Sequence, residues 1–87
     1  MPYINEESRG KYLRIINAIR EQEEIMTKGD LEYLIFTLMK KYMYTRAFRY
    51  STLHDTVYSA MHCADEFRRR FLDKREDEAR KKNGDIE

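Results

Sequence analysis

Tryptophan is absent from this chain, cysteine and proline occur once each, and glycine occurs three times in 87 residues. A lone Cys63 cannot close an internal disulfide, so a small scaffold stapled by disulfides is excluded. So little glycine and proline leaves too few turn formers for a many-stranded sheet. No stretch approaches the roughly 18 consecutive apolar residues of a membrane span, and no membrane partner is expected. Charge of one sign is also missing. Seventeen Lys and Arg stand against sixteen Asp and Glu, a net charge of +1, and that balance argues against the alternative of a dedicated nucleic-acid binder. The first ten residues, MPYINEESRG, lack the basic and apolar regions of a signal peptide. With the single cysteine, this predicts a reducing, cytoplasmic setting.

What the chain has in quantity is charge, 38%, and apolar residues, 41%, the composition of a helical bundle. At 87 residues it is near the lower limit for a single hydrophobic core, and help from another chain is plausible. The longest regular pattern runs from Ser51 to Lys82. Leu53, Val57, Ala60, Ala64, Phe67 and Phe71 follow steps of four and three in alternation, the seam of a helix that packs lengthwise on other helices. One helix over this stretch is about 45 Å long at 1.5 Å per residue, which is longer than a globule of this size is wide. A homo-oligomer is the expectation.

Two shorter helices precede it. Asn5 can cap the first, with Glu6 and Glu7 in its first turn, and Tyr12, Ile15, Ile16 and Ile19 form its apolar stripe. Gly10 weakens its first turns. Thr27 and Asp30 have the spacing of a capping box, and Leu31, Leu34, Ile35, Leu38, Met39 and Tyr42 give the face that the second helix should bury. The segment TRAFRY leads to the third helix, with Ser51 or Thr52 as the expected cap, and Asn83-Gly84 ends it. The reading is therefore a single all-α domain over 1–87: a three-helix chain with a long C-terminal helix, helices about 5–24, 28–45 and 52–82, assembling as a helical homo-oligomer.

Candidate binding chemistry concentrates in the middle. From Tyr33 to His54 there is no acidic residue, while Lys40, Lys41, Arg46 and Arg49 alternate with Phe36, Tyr42, Tyr44, Phe48 and Tyr50. Aromatic faces beside Arg and Lys suit a nucleotide-like small molecule, the rings stacking on a base and the cations holding phosphate. The competing reading is structural: Phe36, Tyr42 and Phe48 as core, Lys40 and Lys41 as a solvated helix end. Further along, His54, Tyr58, His62, Asp65 and Arg69 form a polar stripe beside the seam. The two histidines lie about 12 Å apart along a helix, too far to share a metal without ligands from elsewhere. Arg68-Arg69-Arg70 fan around the helix and have acids within a turn, so a solvated, internally paired face competes with an anion site shared between copies. Cys63 reads as a small packing residue rather than a nucleophile. No nucleophile elbow, phosphate loop or dinucleotide fingerprint is present, so neither an enzyme nor a cofactor is expected.

Met1-Pro2-Tyr3-Ile4, Gly29-Asp30-Leu31-Glu32-Tyr33-Leu34-Ile35, Glu66-Phe67-Arg68-Arg69-Arg70 and Asn83-Gly84-Asp85-Ile86 occur in that order. Together they resemble a family of small uncharacterised helical proteins from phages and bacteria that begin MPYI, carry GELNY-like and LEFYRR-like segments and end NGDVY. The resemblance implies kinship and a phage setting, and it carries no functional residues over. By class alone, phage proteins of this size that form helical oligomers include sponges for nucleotide signals of bacterial defence. The combined expectation is a non-catalytic binder that sequesters an anionic nucleotide-like ligand at an oligomer interface, through Tyr42, Tyr44, Arg46, Arg49, Tyr50, His54, Tyr58, His62 and Arg69. The first alternative is a helical interaction module that inhibits or recruits a host protein.

Overall fold

A computed structural model describes residues 2–86. Every regular element among them is helical: α1 (Glu6–Arg9), a 3-10 turn (Gly10–Tyr12), α2 (Leu13–Arg20), α3 (Lys28–Tyr44), α4 (Tyr50–Phe67), a π segment (Arg68–Leu72) and α5 (Asp73–Asn83). None of these helices is long and apolar enough to cross a membrane.

Local chemistry sets most of the boundaries. Asn5 Oδ1 accepts the Ser8 amide at 2.8 Å and opens α1. The first helix then departs from the expected span of 5–24 in two ways. At Gly10 the turn tightens to 3-10, where the cost of ordering glycine lowers the preference for regular α-helix. After Arg20 the apolar stripe is exhausted, Glu21, Glu23 and Glu24 follow within four residues, and the helix stops.

The capping box of α3 is complete. Thr27 Oγ1 accepts the Asp30 amide at 3.1 Å, and the Asp30 carboxylate accepts the Thr27 amide at 2.9 Å. The backbone bond, followed by the hydroxyl bond, holds the Asp30 carboxyl below its ordinary pKa of 3.8. A carboxylate depressed on folding contributes stability above its unfolded pKa and loses it as pH falls through the folded value. Thr27→Ala is accordingly expected to cost about 1 kcal/mol, measured by urea melts at pH 7. The cost should shrink in melts as pH falls from 3.8 through the lower folded value, where the capping carboxylate of Asp30 becomes protonated.

Neither Ser51 nor Thr52 caps α4. Arg49 occupies that position in extended backbone without a side-chain bond, and the helix starts at Tyr50. Thr52 is spent otherwise: its hydroxyl donates to the Ala47 carbonyl at 3.1 Å and ties the helix to the loop before it, while the Thr56 hydroxyl donates to Thr52 O at 2.7 Å. At the far end Gly84 adopts φ +87°, the left-handed region that glycine enters without strain, and stops α5.

From Tyr50 to Asn83 the backbone stays helical without a break, so α4, the π segment and α5 form one rod. At 1.5 Å per residue it is about 50 Å long, equal to the longest molecular dimension of 50 × 36 × 30 Å. The α3–α4 hairpin is the main contact between helices. Met39, Tyr42 and Met43 of α3, and Leu53, His54 and Ala60 of α4, are half-buried there.

The expected buried faces are not buried in the single chain. Among the described residues no apolar side chain is buried, and Thr52 and Thr56 are the only buried residues of any kind. Leu34, Ile35, Ile15, Ile19, Val57, Phe67 and Phe71 are all exposed, from 41% for Leu34 to 65% for Phe67. The cause is geometric: a rod and a short hairpin arm touch over only part of their lengths. The accessible surface is 8678 Å², against about 5,500 Å² for a compact protein of this mass. Its radius of gyration is 16.9 Å, where about 12 Å is usual for this length.

Candidate functional site

The nine candidate residues fall into three groups with two outliers. At the end of α3, the Arg46 guanidinium lies 3.8 Å from the centre of the Tyr42 ring and donates to the Tyr42 carbonyl at 3.1 Å and to Thr45 Oγ1 at 3.3 Å. Arg46 thus closes the C-terminus of its own helix, and one face of Tyr42 is taken by it. Both residues are occupied with local structure.

The second group stands on one face of α4, where i,i+4 spacing aligns side chains. Tyr50 and His54 meet edge to face with ring centres 4.3 Å apart, and His54 and Tyr58 stack at 5.7 Å. The three rings make a ladder along the first two turns. Tyr50 is 78% exposed and Tyr58 50% exposed, so the ladder presents aromatic surface to solvent. The ladder begins immediately after Arg49, at the end of the acid-free stretch. Tyr44 is exposed in the last turn of α3, and Arg49 is exposed at the start of α4.

His62 and Arg69 belong to a third place. With Pro2, Asp65 and Glu66 they line a shallow, open depression of about 400 Å³. Arg69 donates to Glu66 Oε1 at 2.7 Å, so the acid one turn beyond His62 is paired with Arg69. The charged end of the rod is paired the same way, by i,i+3 contacts: Arg68 with Asp65 at 3.9 Å, Arg75 with Glu78 at 3.8 Å, and Arg80 with Asp77 at 3.7 Å. Exposed pairs of this kind contribute little stability and exchange readily for other partners.

Two features lay beyond what periodicity could show. The N-terminal arm crosses the rod: the Arg70 guanidinium donates to the Tyr3 hydroxyl at 3.1 Å, and Arg9 Nε donates to the Ile4 carbonyl at 2.7 Å. The described part of the first motif stretch, Pro2–Ile4, and the stretch Glu66–Arg70 are therefore neighbours in space. The second is an open groove of about 480 Å³ between α2 and α3, with Ile15, Ile19, Ile25, Met26, Tyr33 and Leu34 on its walls. Its lining is chiefly apolar. Helical stripes pointed to Ile15, Ile19 and Leu34 as core and left Ile25, Met26 and Tyr33 out, and the sequence held no sign that these residues would face each other across a gap.

A family model described as a domain of unknown function, DUF6899, matches residues 1–86, and the chain belongs to that family. No curated protein and no solved structure matches it.

Proposed function

We propose that this member of DUF6899 is a non-catalytic helical binding protein that works by laying its apolar helix faces on another protein chain. The observation that carries the reading is the missing core: every amphipathic face is formed, and no apolar residue among those described is buried. The surface in excess of a compact chain is roughly 3,000 Å², well above the roughly 800 Å² per partner of a standard interface. Part of that surface is the exposed apolar faces of Ile15, Leu34, Val57 and Phe67, which suit contact with another protein.

An apolar dye together with light scattering tests this. The purified chain is expected either to have a mass above the 10.7 kDa of one copy, its faces covered, or to remain single and bind the dye strongly. A single chain that leaves the dye unbound overturns the reading.

One observation favours a second reading, an anionic nucleotide-like ligand. The Tyr50–His54–Tyr58 ladder offers stacking surface next in sequence to the exposed cation of Arg49, where the acid-free stretch ends. Sequestration of a nucleotide signal, the expectation by class, is one form of it. Linear or cyclic dinucleotides should then raise the melting temperature by linkage, and Arg49→Ala should remove most of the rise. No shift with any of them ends this reading and leaves the first untouched.

A further inference from the structure

Three faces of the rod have different fates within the single chain. Thr52 and Thr56 mark the side covered by α3 and the α3–α4 loop. The N-terminal arm lies against the rod further along, with Pro2 near His62 and Arg69 and Tyr3 bonded to Arg70. Apart from Leu53 and Ala60, which are half-buried, the seam stays open: Val57, Phe67 and Phe71, with Met61 beside them, are each half or more exposed, and Ala64 is exposed too. The seam ends at Phe71 for a structural reason. The π segment widens the helix there, Phe71 remains over Phe67 with ring centres 4.8 Å apart, and beyond it α5 carries only charged and polar residues apart from Ala79.

We infer that this seam is covered by the same seam of a second copy, running antiparallel, and that the pairing brings Arg68 of each copy to the aromatic ladder of the other. The inference rests on the reading above, that apolar helix faces are covered by protein, and names the protein. Laid antiparallel about the midpoint of the seam, the residues are self-complementary. Leu53 meets Phe71, Val57 meets Phe67, and Ala60 meets Ala64, each twice, so small residues share the middle and a large one faces a medium one at both ends. A parallel pair would set Phe on Phe at one end and Leu on Leu at the other, a wedge that alanines in the middle cannot fill.

Charge points the same way. Parallel rods would bring Arg68, Arg69, Arg70, Lys74 and Arg75 of both copies side by side, whereas antiparallel rods send the two clusters to opposite ends. The near-zero net charge of the chain opposes neither copy's approach. A chain without a core also has little folded structure with which to wait for a foreign partner, and a second copy is always made beside it.

The flanks of the seam complete the picture. In an antiparallel pair like flank meets like flank, so Cys63 faces Cys63 and Met61 faces Met61 at the centre, while His54 faces Arg68 of the second copy. Arg68 is held in its own chain only by an exposed contact of 3.9 Å to Asp65. The Tyr50–His54–Tyr58 ladder thus gains from the second copy a further cation, at His54, beside the Arg49 of its own chain.

Cys63, exposed and the only cysteine, gives a direct test on the unmodified protein. Mild copper-catalysed oxidation at micromolar concentration is expected to convert most of the protein rapidly to a covalent dimer. Cys63→Ser with Met61→Cys should link as well, and Cys63→Ser with Asp65→Cys, whose thiol lies off the seam, should link at least tenfold more slowly. Sedimentation run in parallel separates the outcomes. Assembly without linkage through Cys63, or linkage through position 65 just as fast, overturns the rod pairing and leaves the helix-face reading standing. A chain that sediments as a single copy overturns the pairing too, and if it binds no apolar dye it overturns both.

Discussion

Diluting the protein is expected to melt it. In a chain whose apolar faces are covered only by another copy, folding and association are one reaction, so the melting midpoint must rise with concentration. Each tenfold dilution removes about 1.4 kcal/mol from a paired state, which for a folded unit of two such chains corresponds to roughly 3–6 °C. Helix content followed by circular dichroism from about 100 µM downward should show that drift and then a loss of signal at the lowest concentrations. The isolated 17-residue α3 and 8-residue α2 are too short to keep much helix without packing. A midpoint that does not move over two decades of concentration would mean that a single chain supplies its own stability.

Val57→Glu carries the second large effect. In the single chain Val57 is 50% exposed, so the glutamate would reach water at small cost. In the paired state it falls opposite Phe67, where an unpaired charge costs at least about 3 kcal/mol. A two-fold interface receives the substitution twice, so the loss is about 6 kcal/mol, or roughly four orders of magnitude in association constant. Gel filtration at micromolar concentration should show the variant as a single chain of lower helicity. Lys82→Glu, on the charged end beyond the seam, should leave assembly unchanged within a factor of a few. Equal behaviour of the two variants would show that the face around Val57 is not covered in the assembled protein.

The local grammar of the fold was legible in the sequence. Asn5, the Thr27–Asp30 box and Asn83-Gly84 mark helix ends through bonds made within four residues, and such bonds depend on little else. The 3-10 turn at Gly10, the Arg49 start of α4 and the π segment at Arg68 were not legible. Each depends on small differences between competing backbone bonds, as when Thr52 reaches back to Ala47 instead of capping its own helix. Burial was the larger miss. Periodicity marks Leu34, Ile35 or Phe67 as residues that must be covered, but it does not say by which chain, and the single copy leaves them bare.

The candidate site was legible in type and not in grouping. The acid-free stretch led to Tyr50 and His54, and i,i+4 spacing is enough to build the ladder with Tyr58. It gave no hint that Arg46 would fold back on Tyr42, since that contact closes a helix whose end the sequence left unmarked. His62 and Arg69 sit on the same rod but turn toward the N-terminal arm. Pro2 and Tyr3 join them only because 60 or more residues of intervening chain bring the arm back, a proximity that no local pattern encodes.

Sedimentation equilibrium of the unmodified protein at about 1 to 100 µM tests the account most directly. It predicts a mass of at least two copies of the 10.7 kDa chain across the upper part of that range, falling toward one copy only where helix content falls with it. A fully helical species of one-copy mass throughout would contradict it.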